Sequence, residues 1–488
     1  MALTRFERLV AWALRACRVF LFAVFQLLAP RPSDGPSRRL PPITNPLLTV
    51  SGMQLAQKIR RKEVTSVEVV QAYIDRIQEV NPLINAMVKD RFSAALQEAA
   101  QADRLVEEEK GSEESLEDRL PLLGVPFTVK EAFNLQGMPN TTGLVSRRGV
   151  ISGGDAPTVT LLKRAGAIPL GVTNSSELCM WMESHNRLYG ITNNPYNIGR
   201  IPGGSSGGEG SILASGGSVI GVGSDIGGSI RLPAFFNGIF GHKPTSGVVS
   251  NEGQFPPCSG LQQDFLCTGP MCRYAEDLPL LLRLRQAQRQ VVQRLEADLG
   301  VKVEELHIPQ LRYSFHIWGA MMAAADKDGK RPMAFAELMG DHGKRVWPVW
   351  ELAKWILGQS SHTMAAIGLA LVEKTQSSQP SAFILQQKEE LQTQLEELLG
   401  TDGVLLCPTH PHIAPKHHHP LFTPFDFSYT GIFNILGLPV TQCPVGLGRE
   451  GLPLGLQLVA GKLQDHLTLA TAHHLEKAFG GWREPGMA

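Results

Sequence analysis

Between residues 64 and 81 the apolar side chains Val67, Val70, Ile74 and Ile77 recur at helical spacing behind the pair Thr65 and Glu68. A threonine followed three residues later by a glutamate forms a capping box, so a helix starts there, and Asn81-Pro82 is expected to end it. A second helical repeat runs from about Arg91 to Glu109. It gives way to an acidic stretch over 107–118, expected as a solvated surface insertion. The pattern then changes to short apolar runs. Leu122 to Val129 (with Lys130 at its exit), Ile168 to Thr173 and Val219 to Ser224 each read as a strand, while Thr158 to Ala165 and Ser206 to Ser215 read as helices. Such alternation predicts an α/β sheet with helices on its faces. Further on come a helix over Ala287 to Leu299, a strand over Val301 to Leu306 and a mainly helical stretch over 315–400. A strand over Val404 to Cys407 and a last helix over Asp465 to Phe479, stopped by Gly480, complete the pattern.

The first 29 residues stand apart. Residues 9–29 are mostly apolar, yet Arg15 and Arg18 interrupt them, and an arginine near a bilayer centre costs about 2.5–3.5 kcal/mol on insertion scales. The uncharged part, Val19 to Ala29, is too short to span a bilayer. On a helical wheel Arg5, Arg8, Arg15 and Arg18 gather opposite Leu9, Leu14, Leu21 and Val24. The pattern predicts a membrane-anchoring helix over 1–29, lying in the interface or spanning it. A Pro-rich connector over 30–46 leads to a body that runs from 47 to 488.

Composition narrows the classes. Lys+Arg and Asp+Glu are equal at 46 each, so no global field favours nucleic acid. The seven cysteines are odd in number and include no C-x-x-C pair, which argues for reduced thiols rather than a disulfide framework. The run His417, His418 and His419, among prolines, does not fix tetrahedral geometry, so no metal is expected.

Three segments carry candidate chemistry. Pro202-Gly203-Gly204-Ser205-Ser206-Gly207-Gly208-Glu209-Gly210 leads straight into the apolar helix at Ile212, unlike a flexible linker, and no Gly-Lys-Ser/Thr follows to make a phosphate loop. Residues 203–207 also fit Gly-x-Ser-x-Gly, the nucleophile elbow of α/β-hydrolases, a weak match. In Gly223-Ser224-Asp225-Ile226-Gly227-Gly228-Ser229-Ile230-Arg231 a strand ends in two glycines and a serine. Those glycines let the chain turn and aim the N–H groups of Ile226, Gly227, Gly228 and Ser229 at one point, as an oxyanion hole requires. Asp225 and Arg231 flank the turn, as supports of the site or merely as a brace for the loop. Third, Gly124-Val125-Pro126-Phe127-Thr128-Val129-Lys130 places Lys130 at a strand end, where burial would lower its pKa and free the amine as a base.

Together these segments resemble the amidase signature family, whose pattern is Gly-Gly-Ser-Ser-Gly-Gly followed by Asp-x-Gly-Gly-Ser-x-Arg-x-Pro. The spacing fits, with 75 residues from Lys130 to Ser205 and 24 from Ser205 to Ser229. The resemblance runs from about Leu47 to Trp482 and includes Leu436-Gly437-Leu438-Pro439 and Gly451-Leu452-Pro453-Leu454-Gly455. It implies a central mixed, twisted sheet covered by helices on both faces, with residues 47–488 as the catalytic domain. It also implies Ser229 as nucleophile, Ser205 as proton relay and Lys130 as base, supported by Ser206, Asp225 and Arg231, with no cofactor and no metal. A cis peptide bond is implied at Gly204–Ser205.

Within that family the chain is most similar to the membrane-anchored fatty-acid amide hydrolases of type 2, through Ser205-Ser206-Gly207-Gly208-Glu209-Gly210, the apolar N-terminal segment and Phe479-Gly480-Gly481-Trp482. That similarity implies a lipid amide substrate, either a primary fatty-acid amide or an N-acylethanolamine, cleaved through an acyl-enzyme. It further implies attachment to an intracellular membrane such as the endoplasmic reticulum or a lipid droplet. Homodimerisation stays open. Cys179, Met180, Trp181 and Met182 are candidates to line an acyl channel, or else belong to the ordinary core. After Leu284 the chain passes directly into the helix from Gln286, where relatives continue through some tens of residues, so a segment is missing near 284–287. The alternatives are another amidase of the family, such as a glutaminase subunit of an amidotransferase, or a membrane-bound amidase-like protein impaired by that gap.

Overall fold

The computed structural model describes residues 39–108, 113–278, 306–340, 344–373 and 380–486. The anchoring helix expected over 1–29 and the helix and most of the strand expected over 287–306 lie outside the described residues. Among the described residues no helix is long and apolar enough to cross a membrane.

The sheet forms where short apolar runs meet. Strands β1 (Met87–Asp90), β2 (Pro126–Lys130), β3 (Ile168–Thr173), β6 (Ile220–Asp225), β7 (Phe240–Lys243), β8 (Cys267–Cys272), β9 (Val404–Cys407), β10 (Val440–Leu447) and β11 (Pro453–Ala460) join in the order β1-β3-β2-β6-β8-β7-β10-β11-β9. A separate hairpin pairs β4 (His185–Asn186) with β5 (Gly190–Ile191). Strands β3, β2 and β6 run parallel and are buried along their whole length, which explains their unbroken apolar runs; the remaining pairs in the sheet are antiparallel. The sheet is therefore mixed. Both faces are covered, because successive strand residues point to opposite sides. A Cβ at Gly241 would lie 2.8 Å from Ala234 of the helix Arg231–Phe236, whereas His242 reaches Asp465 of the helix Asp465–Phe479.

The helix Ser66–Ile84 starts at the capping box of Thr65 and Glu68, as its pattern requires. It does not stop at Asn81-Pro82. Buried Val80 and Ile84 carry it one turn further, to Asn85 in the left-handed conformation (φ 48°). The acidic stretch is also more ordered than a loop: Glu113–Arg119 is a helix that buries Leu116 and pairs Glu113 with Arg61 at 3.0 Å.

Candidate active site

The parallel register of β2 and β6 builds the centre of the site. Thr128 pairs with Gly221 and Val129 with Val222, so the end of β2 brings Lys130 beside Ser224. Lys130 Nζ is hydrogen-bonded to Ser205 Oγ at 2.7 Å and to Ser224 Oγ at 3.0 Å. The lysine is fully buried; burial pushes its pKa down, opposed by the Cys179 thiol and by Asp225 and Glu209. Ser205 follows a cis peptide bond from Gly204. No side chain fits at 204, since a Cβ there would lie 2.3 Å from Trp181 O. Ser184 fixes the same turn, its hydroxyl donating to Gly203 O at 3.0 Å and accepting from Gly207 N at 2.9 Å.

The loop after β6 wraps around one carboxylate. Asp225 Oδ1 accepts from Gly228 N at 2.8 Å and Oδ2 from Ile230 N at 3.0 Å. The buried Arg231 donates to both oxygens, at 2.9 and 3.1 Å, and also to Thr430 O and Asn434 Oδ1. Burial by itself would raise the Asp225 pKa; the guanidinium and the N–H donors outweigh it and hold the carboxyl well below the usual range. The pair thus braces the loop. One member of the expected oxyanion set is placed differently: the Gly228 N–H is directed inward to Asp225. Among the described residues, Ile226 N, Gly227 N and Ser229 N have no protein acceptor. Ser206 ties the two serine segments together, its N–H donating to Ser229 O at 3.2 Å. No hydrogen bond joins the Ser205 and Ser229 hydroxyls among the described residues.

Ser205, Ser224 and Ser229 open onto a cavity of about 320 Å³ whose walls are mainly apolar, among them Leu178, Met180, Phe255, Trp318, Phe335 and Leu369. Cys179 and Met180 are among its lining residues. Trp181 and Met182 are not: the chain turns through left-handed Leu178 and Cys179, which sends Met182 into a separate cluster with Ile201, Leu232 and Phe236. Sequence reasoning missed Ser224, Glu209 and Trp318. Ser224 and Glu209 lie inside the quoted motifs, but nothing in the pattern distinguished them; Trp318 had no local signal at all. The histidine run is tied up locally, with His417 Nδ1 at 2.8 Å from buried Glu183 Oε1. All six described cysteines are free.

The amidase family profile matches residues 68–290 and 283–469. Fatty-acid amide hydrolase 2-A of Danio rerio is 71% identical over an alignment of 527 residues, covering 100% of this chain and 99% of the relative. Fatty-acid amide hydrolase 2 of Homo sapiens is 54% identical, covering 91% and 92%. Among solved structures, a fatty acid amide hydrolase superposes with a TM-score of 0.69 at 22% identity, covering 90% of this chain and 86% of the other, a likeness of fold.

Proposed function

The chain belongs to the amidase family, and on that premise we propose that it hydrolyses fatty-acid amides, primary amides and N-acylethanolamines alike, to free acid and amine. The observation that carries this reading is the buried 2.7 Å contact of Lys130 with Ser205 at the foot of an apolar cavity that Ser229 also lines. Neutral Lys130 takes the Ser205 proton, and Ser205 takes that of Ser229 as its oxygen attacks the amide carbonyl. The N–H groups of Ile226, Gly227 and Ser229, which meet no protein acceptor among the described residues, receive the oxyanion. Ser205 then protonates the leaving amine, and water releases the acid from the acyl-enzyme. The apolar walls match an acyl chain and oppose the glutaminase reading, whose substrate would need polar contacts.

Membrane association is part of the proposal. Trp347, Val349, Trp350, Ile356 and Leu357 stand exposed in and beside the helix Pro348–Ile356, with Trp347, Ile356 and Leu357 each about 70% accessible. That helix packs through Leu352 and Trp355 in one apolar cluster with Leu369, which lines the cavity. An exposed apolar face beside the cavity suits a substrate that partitions into lipid.

The catalytic domain is proposed to lack a segment near 284–287. The 527-residue alignment exceeds the 488 residues of this chain by 39, and the family match divides into two pieces that meet over 283–290. This gap favours a second reading, an impaired amidase-like protein. Labelling by a fluorophosphonate separates the two. The proposal expects modification of Ser229, identified by peptide mass and absent in Ser229→Ala, whereas a folded protein that resists labelling would favour the impaired form.

A further inference from the structure

Every peptide carbonyl of the loop Ile226–Ser229 is held. Thr430 Oγ1 donates to Gly227 O at 2.6 Å, Leu232 N to Gly228 O at 2.7 Å and Ser206 N to Ser229 O at 3.2 Å. The first plane is held by a side chain from a distant element: Trp318 Nε1, on the helix Ser314–Ala323, donates to Ile226 O at 3.0 Å. In a planar trans peptide the C=O and the following N–H point in opposite directions. Fixing Ile226 O toward Trp318 therefore fixes the Gly227 N–H away from it, where that N–H meets no protein acceptor among the described residues.

The indole is itself seated. Phe427 packs against it edge to face, with ring centroids 4.7 Å apart. Gly431 makes room, since a Cβ there would lie 2.9 Å from Trp318 Cδ1. The ring also forms part of the cavity wall. One side chain thus touches both the space for the acyl chain and the peptide that carries an oxyanion donor.

We infer that Trp318 is a positioning residue that aims the Gly227 N–H at the oxyanion and couples acyl-chain packing to transition-state stabilisation. The inference rests on the fatty-acid amide reading and deepens it. Contacts with a remote part of a substrate raise kcat only when they act on the reacting centre in the transition state. Here the acyl chain, by packing on the indole, steadies the oxyanion donor, so kcat rises with chain length.

The test compares wild type, Trp318→Phe and Trp318→His on primary amides from hexanoyl to octadecanoyl, with inhibition by a dodecyl trifluoromethyl ketone, whose serine adduct carries an oxyanion. Removing an oxyanion donor outright costs 100- to 1000-fold, so mis-aiming one in Trp318→Phe is expected to cost about tenfold in kcat on the long amides. Inhibition by the ketone should weaken by about the same factor, KM should stay within about twofold, and the rise of kcat with chain length should flatten. Trp318→His, which keeps a ring N–H at a similar reach, should recover most of the loss. An unchanged kcat, or equal losses in KM and in ketone inhibition, would mean that Trp318 is only a wall and would overturn the inference. If Trp318→Phe shows no cooperative melting, Trp318→His decides alone: near-wild-type kcat supports the role and a tenfold loss overturns it. Absence of turnover in the wild type would instead overturn the fatty-acid amide reading beneath it.

Discussion

Lys130 and Glu209 share one buried electrostatic problem. Glu209, on the helix Gly207–Ala214, accepts hydrogen bonds from Thr128 and Thr173, each at 2.7 Å. Thr128 precedes Lys130 by two residues on β2 and Thr173 pairs with Lys130 across β3, so the carboxyl lies under the lysine. Burial pushes the Glu209 pKa up to about 8. Ionised, it opposes the uncharged lysine; with the proton that burial favours, it leaves the lysine free to stay uncharged. An acid raised from 4.5 to about 8 keeps a proton that the unfolded chain releases, so its contribution to stability is full below about pH 4.5 and lost as pH rises through about 8. Glu209→Gln should therefore melt like wild type near about pH 5 and about 3 °C higher near about pH 9. A melting difference that does not change with pH would contradict a neutral Glu209. Lys130 shows the opposite sign of charge and the same logic: its lowered pKa means kcat/KM falls as pH drops through that value. Lys130→Met should lower kcat by about 100- to 10,000-fold and remove that limb of the profile, with steady-state rates across pH as the check.

At the scale of elements, the braced turn after β6 is the most demanding structure. Removing its anion strands a buried guanidinium, so Asp225→Ala should cost about 3–5 kcal/mol, read as a lowered denaturation midpoint. An unchanged midpoint would show that Arg231 finds other partners. This turn was legible in the sequence because two glycines and a serine at a strand end leave few other conformations. The parallel strands were legible too, since burial on both faces demands unbroken apolar runs. Strands β7, β8 and β10 were not: Phe240–Lys243 contains His242 and Lys243, Cys267–Cys272 contains Gly269-Pro270, and Val440–Leu447 contains Gln442 and Pro444. Several of their buried polar groups meet partners far away in sequence, which no local pattern announces, as with Thr409 and Gln442 or His242 and Thr441. Trp318 was invisible for the same reason. Its role exists only once a helix more than ninety residues away in sequence lies against the nucleophile loop, from Trp318 to Ile226.

At the scale of the molecule, the site sits at the ends of β2 and β6 in a mixed sheet, its cavity shares Leu369 with the apolar cluster that holds an exposed helix, and the proposed gap lies in sequence beyond all three candidate stretches. If that helix docks on lipid, the double variant Trp347→Ser/Trp350→Ser should bind phosphatidylcholine vesicles about tenfold more weakly while hydrolysing hexanamide in detergent at the wild-type rate. Equal sedimentation with vesicles would assign docking elsewhere. If Ser229 in this cavity is the nucleophile of an amidase for long acyl chains, acyl length sets the rate. The most direct measurement is kcat/KM of the detergent-solubilised chain across hexanoyl to octadecanoyl primary amides, with Ser229→Ala alongside. kcat/KM should rise with acyl length in the wild type and vanish in the variant; equal or faster turnover of the short amides, or activity that survives Ser229→Ala, would overturn the fatty-acid amide reading.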